Sequence, residues 1–335
     1  MTSPWLGPRA DRHLYPMLPP FTPVLRRGPD ELQIGLDQEP SLIFAGVSPG
    51  VERLLGMLDG CHHIREIEVT GLGLGIEPSS LQWILRTLDD AQLLRQGGRQ
   101  AERTGAVELS GKRVRLIGAG TLGKAVARLL VGSGVSVLNV IDNDALDRAL
   151  YPAAGAVGTQ GEGLRSLLGE SCGCRVSVVN HWAKPEGVRP DLTIIASDTL
   201  ECDRVVAEGL LRADQPHLFL RSRAGGVVVG PLVLPGLTPC LRCMDLTRRD
   251  ADPAWPTLLP QLARTRMPAT EALSGWAGGV AAAQALGFLK GATPETCGAT
   301  IEISPADFVT RWRSWSMHPG CGCGWGATAQ WGHER

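Results

Sequence analysis

The chain has 335 residues, of which 43% are apolar and 20% are charged, a composition typical of a globular protein with about two domains. The 33 Lys and Arg residues nearly balance the 34 Asp and Glu residues, and the net charge of −1 argues against a basic nucleic-acid-binding protein. The first 20 residues lack the pattern of a secretory signal. The longest mostly apolar stretch, Ala277 to Leu289, is shorter than the ~20 residues that span a bilayer. We therefore expect a cytoplasmic protein without a membrane partner.

The N-terminal part of the sequence predicts an irregular arm at residues 1–20 and a small domain at residues 21–98. Residues 31–36 alternate between polar and apolar, and residues 41–45 form a short apolar run, so both are predicted to be strands of a hairpin. Leu93-Leu94 is a candidate for a third strand. Helical spacing of apolar residues predicts three helices at 49–60, 62–69 and 78–91, the first opened by Ser48-Pro49. A hairpin with three helices is a winged-helix arrangement.

A polar, Gly-rich linker is expected at residues 99–109, followed by a second domain at 110–325 and a tail at 326–335. In the second domain, apolar strands alternate with helices, which predicts a doubly wound α/β fold around a parallel sheet. The predicted strands are 114–117, 135–141, 175–179, 192–196 and 217–220, and the predicted helices are 122–131, 161–168 and 200–212. Two later strands, 227–229 and 232–234, are expected to be antiparallel.

A glycine-rich turn, Gly118-Ala-Gly120-Thr-Leu-Gly123, follows an apolar strand and opens an amphipathic helix. Such a turn lets the backbone approach a phosphate, and the helix N-terminus supplies unpaired N–H groups. Asp142 ends the next predicted strand, 19 residues after Gly123, close to the ~20 residues expected for a carboxylate that binds ribose hydroxyls. The pattern predicts a nucleotide-binding turn without distinguishing NAD from ATP, and a purely structural turn is the alternative.

Two cysteine pairs have spacing suited to a metal ion. Cys240-Leu-Arg-Cys243 has the CxxC spacing that brings two thiolates to one tetrahedral Zn²⁺, and Cys321-Gly-Cys323 can supply the other two ligands. Because a CxC pair is less usual, His318 is a spare ligand candidate. Unrelated or redox-active thiols are the alternative. A closed zinc site would hold the C-terminal segment against the sheet domain.

Taken in order, these motifs resemble the ThiF/MoeB-type ubiquitin-activating superfamily. The supporting motifs are the turn at 118–123, Asp142-Asn-Asp144, Ser197-Asp198, and Thr238-Pro-Cys-Leu-Arg-Cys243 with the later cysteine pair. The resemblance covers residues 110–325 and implies a Rossmann-like, homodimeric domain that adenylates a protein or peptide C-terminus with ATP and Mg²⁺.

The first domain resembles the PqqD-like winged-helix module, which recognises leader peptides of ribosomal precursors. The supporting strings are Arg26-Arg-Gly28, Leu32-Gln-Ile-Gly35, Ser48-Pro49, Leu54-Leu55 and Leu58-Asp-Gly60. Together with the ending His318-Pro-Gly-Cys321, the two halves resemble the ThiF-like partner proteins of azoline-forming cyclodehydratases. That resemblance implies a precursor leader peptide and a cyclodehydratase-like enzyme as partners.

The superfamily resemblance implies a nucleotide site with Asp198 as the candidate Mg²⁺ ligand. Its implied residues are Gly118, Gly120, Gly123, Lys124, Asp142, Asp144 and Asp198. Active members carry an Asn-Leu-x-Arg-Gln string where this chain has Ala149-Leu-Tyr-Pro-Ala153, and a Lys where it has Gln160-Gly161. Because adenylyl chemistry depends on cations placed over developing negative charge, the missing Arg and Lys predict a degenerate site that binds ATP–Mg²⁺ weakly or not at all.

These observations favour a leader-peptide-binding scaffold that presents the precursor to a separate enzyme. We expect the peptide to add a strand to the hairpin edge, contacting Leu32, Ile34, Leu81, Trp83 and Leu85. Trp83 lies off the apolar stripe of its predicted helix, and packing on the second domain is its alternative role. An active ATP-dependent adenylating enzyme is the second candidate function. An NAD-dependent oxidoreductase is the third, but it explains neither Asp198 nor the cysteine pairs.

Overall fold

The computed structural model describes residues 14–19, 22–36, 41–97, 109–154, 158–169, 173–182 and 188–324. The chain divides into two compact units, Met1–Thr104 and Gly105–Arg335. The predicted tail and most of the predicted arm and linker lie outside the described residues, as does Trp325, the last residue of the predicted second domain.

The first unit combines a three-stranded sheet with three helices. Its elements are β1 (Pro16–Met17), β2 (Val24–Gly28), β3 (Glu31–Ile34), β4 (Leu42–Ala45), α1 (Pro49–Gly56), α2 (Ile64–Gly73), α3 (Pro78–Asp90) and β5 (Arg95–Gln96). The antiparallel sheet has the order β2-β3-β4, and β1 pairs separately with β5. The predicted arm therefore contains a short strand near its end. The strand predicted at Leu93-Leu94 forms two residues later, at Arg95–Gln96, and both leucines are buried in the core.

Local signals place the helices of the first unit. Proline occupies the first position of α1 and of α3, where its fixed φ and missing N–H carry no penalty. The α2 helix begins after His63, whose ring accepts a hydrogen bond from Arg65 N, while the Glu66 carboxylate accepts one from His63 N. The apolar faces of all three helices close over the sheet in one core.

The second unit is built on one eight-stranded mixed sheet. Its elements are β6 (Arg113–Ile117), α4 (Thr121–Gly132), β7 (Val137–Ile141), α5 (Gln160–Leu168), β8 (Arg175–Val178), β9 (Leu192–Ser197), α6 (Arg204–Arg212), β10 (His217–Arg223), β11 (Gly226–Val233), α7 (Leu241–Ala251), α8 (Trp255–Arg264), α9 (Glu271–Leu289), β12 (Ala299–Ile303) and β13 (Thr310–Ser314). The strand order is β13-β12-β11-β10-β9-β6-β7-β8.

Five neighbouring strands of this sheet, β10, β9, β6, β7 and β8, are parallel. The other three, β11, β12 and β13, extend the sheet in antiparallel fashion. This arrangement confirms the predicted α/β fold. The two short antiparallel strands expected at 227–229 and 232–234 are one continuous strand, β11. The carboxyl ends of the parallel strands bring distant loops to one edge, as expected for a nucleotide-binding sheet.

The α9 helix is longer than the apolar stretch Ala277 to Leu289 that the sequence analysis considered too short to span a bilayer. It has 19 residues, and by length and composition alone it is long enough to cross a membrane. Its apolar character has a simpler origin, because Ala277, Ala281 and Ala285 are fully buried where α9 packs on α4 and β11. The length and apolar composition of α9 are therefore those of a helix in the core of a globular domain.

Candidate functional site

The glycine-rich turn between β6 and α4 has a shape that only glycine permits. Gly118 has φ of +96°, and a Cβ there would lie 2.0 Å from the carbonyl oxygen of Ala196. A Cβ on Gly120 would lie 2.0 Å from Asp198 Oδ2, and one on Gly123 would lie 2.0 Å from Gly118 O. The three predicted glycines therefore allow β9, its following loop and α4 to approach closely.

Two carboxylates accept hydrogen bonds from donors in this turn. Asp198, which is 8% exposed and follows β9, accepts from Thr121 N at 3.0 Å through Oδ2 and from Thr121 Oγ1 at 2.9 Å through Oδ1. Asp142 Oδ2 accepts from Ala119 N at 2.7 Å, and Asp142 Oδ1 accepts from Asp144 N at 3.0 Å. Burial raises the pKa of Asp142, against the lowering effect of these hydrogen bonds. The positive end of α4 is thus already compensated by the chain's own negative charge.

Tyr151 fills the space beside the same turn. It belongs to the stretch 149–153, which lacks the Asn and Arg expected from the superfamily resemblance, and its hydroxyl donates to the carbonyl oxygen of Ala119. Its ring lies so close to Gly163 that a Cβ there would be 2.9 Å from Tyr151 Cγ. Burial, with smaller effects from Asp142 and Asp198, raises the pKa of this hydroxyl. A neutral phenol therefore packs against the carbonyl oxygen of Ala119 in the glycine-rich turn.

Two cations contact the edges of this site, and both are paired with carboxylates. Lys124 Nζ lies 3.6 Å from Glu271 Oε2, and Arg266 Nη1 lies 2.8 Å from Asp144 Oδ2. Arg266 was not predicted, because no local motif marks it. Its segment is brought here by long-range backbone hydrogen bonds, such as Met267 N to the Asp198 carbonyl at 2.7 Å. Since Arg266 and Asp144 are both more than half exposed, their ion pair contributes less than about 1 kcal/mol.

The residues fit a nucleotide only in part. Gln160 is 6% exposed, and its side-chain Oε1 has no hydrogen-bond partner among the described residues. Its backbone N donates to the carbonyl oxygen of Asp144, next to the carboxyl end of β7. An orphaned buried acceptor and the Asp142 carboxylate are features that a ribose or base could satisfy. The donors at the start of α4 differ, because Asp198 and Tyr151 engage the turn, and the stretch Gln160-Gly161 lacks the Lys that the superfamily resemblance implies there.

The four predicted cysteines converge at the start of α7. Their sulfurs lie within 4.8 Å of one another, with distances of 3.9 Å for Cys240–Cys243, 3.6 Å for Cys240–Cys321 and 3.3 Å for Cys243–Cys323. A tetrahedral Zn²⁺ with Zn–S bonds of about 2.3 Å requires sulfur separations of about 3.8 Å. Burial, followed by hydrogen bonds to neighbouring sulfurs, raises the pKa of Cys323. The donor set therefore fits a structural zinc ion, whose charge would stabilise the thiolates.

His318, the spare ligand candidate, supports this cluster from outside. Its Nε2 lies 2.8 Å from Asp250 Oδ2, and its Nδ1 accepts from Gly320 N at 3.0 Å. The carbonyl oxygen of His318 accepts from Cys321 N at 2.9 Å. Both ring nitrogens are thus engaged away from the sulfurs, and His318 shapes the turn that delivers Cys321.

The five residues expected to contact a peptide in the first unit differ in their burial. Leu32 and Ile34 are buried core residues of β3, the middle strand, whose backbone is paired with β2 and β4. They therefore hold the sheet together and do not form an open edge. Leu81 and Leu85 are likewise core residues of α3. Trp83 differs, because it is 55% exposed.

Trp83 marks an open edge of the sheet. Its ring meets Phe44 of β4 edge-on at a centroid distance of 5.4 Å. Among the described residues no strand pairs with the outer side of β4, and its Ile43 side chain is 53% exposed. A second apolar feature, a groove of about 410 Å³, lies between α2 and α3. Its lining residues are Glu68, Val69, Leu72, Ile76, Pro78, Leu81, Gln82 and Leu85.

Comparison with known proteins identifies the fold. No family model and no curated protein sequence matches this chain. The crystal structure of E. coli MccB matches with a TM-score of 0.66 and 17% identity, covering 96% of this chain and 99% of MccB. This chain has the MccB fold. The microcin C7 biosynthetic enzyme MccB in complex with N-formylated MccA gives a TM-score of 0.67 at 17% identity, covering 92% of this chain and 99% of that one.

A second similar protein is PaaA, with a TM-score of 0.57 and 17% identity over 88% of this chain and 99% of PaaA. MccB has also been crystallised with ATP. Because 96% of this chain is covered, the likeness to MccB extends over both units.

Proposed function

We propose that this protein is a cytoplasmic, homodimeric scaffold that binds the leader of a ribosomally made precursor peptide and presents it to a cyclodehydratase-like modifying enzyme. The observation that carries the proposal is the open edge of β4 beside the exposed ring of Trp83. The similarity to MccB, a microcin C7 biosynthetic enzyme whose structure is known in complex with N-formylated MccA, supports a peptide as the binding partner.

Strand addition explains how this edge would bind a leader. An extended peptide can satisfy the outward N–H and C=O groups of β4, while its successive side chains, which point to opposite faces of the sheet, contact Ile43 on the exposed face and Trp83 on the face of Phe44. Trp83 is anchored on Phe44 and so loses little side-chain entropy on binding. Buried aromatic anchors of this kind often carry ~2 kcal/mol or more of binding free energy.

The nucleotide site is proposed to be degenerate. Asp198, Asp142 and Tyr151 engage groups of the glycine-rich turn, and Lys124 is paired with Glu271. A triphosphate would have to displace carboxylates from the α4 N-terminus, where negative charge is already stabilised. We therefore expect weak ATP–Mg²⁺ binding or none.

ATP-dependent adenylation of a peptide C-terminus is the second candidate function. It is favoured by Arg266, a cation next to Asp144 that the resembled family's pattern does not supply, and by the intact glycine turn. Pyrophosphate exchange in the presence of peptide and ATP–Mg²⁺ separates the two functions. Exchange at enzymatic rates that is lost in Arg266→Ala would favour the enzyme, and no exchange would favour the scaffold.

Peptide binding is tested with the full chain and a synthetic leader peptide encoded beside this protein's gene. We expect micromolar affinity by fluorescence anisotropy, reduced at least about tenfold in Trp83→Ala. Val69→Ala, which shortens an exposed apolar side chain on α2 of the same unit, is the matched control and should bind normally. A folded wild-type chain that binds no leader, or equal losses in both variants, would refute the proposed site.

A further inference from the structure

A buried ion cluster lies next to the loop that follows β9 and belongs to none of the sites described above. At its centre is Glu201, which is 3% exposed. Its carboxylate accepts from Arg204 Nη2 at 2.9 Å, and it lies 3.1 Å from both Arg221 Nη2 and Arg248 Nη1. A carboxylate so deeply buried is stable only while its cationic partners keep their places.

One side of the cluster fixes the loop that carries Asp198. Arg221 Nη1 donates to the carbonyl oxygen of Leu200 at 2.7 Å. Leu200 N in turn donates to the Thr265 carbonyl at 3.1 Å, and Met267 N donates to the Asp198 carbonyl at 2.7 Å. Glu201 therefore holds the Asp198 loop and, through it, the segment at 265–267.

The other side of the cluster belongs to α7, the helix that begins at the cysteine site. Cys240 is the N-cap of α7, and Cys243 lies in its first turn. Arg248 follows Cys243 by five residues, about 7.5 Å along the helix axis. Its guanidinium lies over the rings of Trp255 and Trp315, at 4.7 and 5.2 Å from their centroids.

A second residue of α7 reinforces this connection. Asp245 accepts two hydrogen bonds from Arg204, at 2.7 and 2.8 Å, and a third from Trp255 Nε1 at 3.0 Å. Arg204 is therefore shared between Glu201 and α7. Any rotation or fraying of α7 would break the contacts of buried Glu201 with Arg248 and those of partly buried Asp245 with Arg204 together.

We propose that Glu201 is a positioning residue that couples metal occupancy of the cysteine cluster to the order of the Asp198 loop. A zinc ion would fix the first turn of α7 through Cys240 and Cys243, and α7 would hold Arg248 and Asp245 against the loop side of the cluster. When the metal leaves, the helix start loosens and Glu201 loses its fixed partners. The proposal concerns the second unit alone and does not depend on peptide binding.

Hydrogen exchange of the full chain, followed by mass spectrometry with zinc bound and after chelation, tests this coupling. In the wild type, chelation should speed exchange about tenfold in α7 and also in the Asp198 loop, and added zinc should restore both. Glu201→Gln keeps the side-chain shape and removes the charge. With zinc bound, its loop at 198–202 should already exchange about tenfold faster, and chelation should change that loop no further. Glu208→Gln, which removes an exposed carboxylate paired with Arg212, should behave as the wild type.

Chelation that loosens α7 while residues 198–202 stay protected would overturn the proposal, as would a chain that binds no zinc. If Glu201→Gln does not fold, Arg248→Lys replaces it, because lysine keeps the charge but loses the forked guanidinium contact. In Arg248→Lys, chelation should likewise leave the exchange rate of residues 198–202 unchanged. A wild-type response of the loop in Arg248→Lys would contradict the role of the cluster.

Discussion

Replacing Asp198 tests whether its carboxylate stabilises the glycine-rich turn as an internal substitute for an anionic ligand. Asp198→Ala removes the acceptor of Thr121 N and Thr121 Oγ1 in a site that is 8% exposed. Loss of a helix-capping acceptor costs about 1 kcal/mol, and a buried donor left unsatisfied adds about 1–3 kcal/mol. We therefore expect a loss of about 3 kcal/mol in the free energy of unfolding of the second unit. Asp198→Asn retains one acceptor and should lose about 1 kcal/mol.

Urea unfolding of the full chain, followed by tryptophan fluorescence, measures these losses. Asp203→Ala is the matched control, because Asp203 caps α6 of the same unit by accepting from Val205 N at 2.7 Å, and its loss should cost about 1 kcal/mol. The account predicts that Asp198→Ala is clearly the most destabilising of the three variants. A loss no larger than that of Asp203→Ala would refute the stabilising role. A gain in stability would indicate instead that Asp198 is a strained ligand kept for a metal–nucleotide complex.

Two further predictions concern the zinc site and a buried histidine. Purified protein should contain about one zinc ion per chain by elemental analysis, Cys240→Ser should reduce it, and full zinc retention in the Cys240→Ser/Cys323→Ser double variant would contradict the site. Burial lowers the pKa of His217 to about 4, below its unfolded value of about 6.5, so the unfolded state takes up the proton first. Stability should therefore fall as the pH drops below about 6.5, by about 2 kcal/mol at pH 5. Urea midpoints at pH 7 and pH 5 should show a smaller difference in His217→Gln, and an unchanged difference would refute this assignment.

The parts of the site that local spacing encodes were predictable from sequence. Gly118, Gly120 and Gly123 were found from their spacing within one strand–turn–helix unit, although the contacts that require Gly118 and Gly120 are with Ala196 and Asp198, farther along the chain. CxxC spacing is set by one helical turn. The contact between the two cysteine pairs was a hypothesis that the structure supports by geometry. Arg266 and Glu201 carry no such signal, because their roles arise from contacts with residues far away in the chain.

The errors have physical causes as well. The β2 strand was missed because its residues are mostly exposed and do not alternate, and β13 is exposed on both faces. The expected peptide residues Leu32 and Ile34 came from an alternating apolar pattern, which identifies the buried face of a strand. The pattern therefore identified core residues of the middle strand, whereas Trp83, which is 55% exposed, was singled out because it lies off the apolar stripe of its helix.

Amide hydrogen exchange of β4 with and without leader peptide tests the central claim most directly. Strand addition would give new hydrogen bonds to the outward N–H groups of Leu42–Ala45, in addition to the existing ladder with β3. The account predicts that saturating leader slows exchange in Leu42–Ala45, and that this protection is lost in Trp83→Ala but kept in Val69→Ala. Leader binding with unchanged exchange in β4, or with protection confined to the groove between α2 and α3, would contradict it.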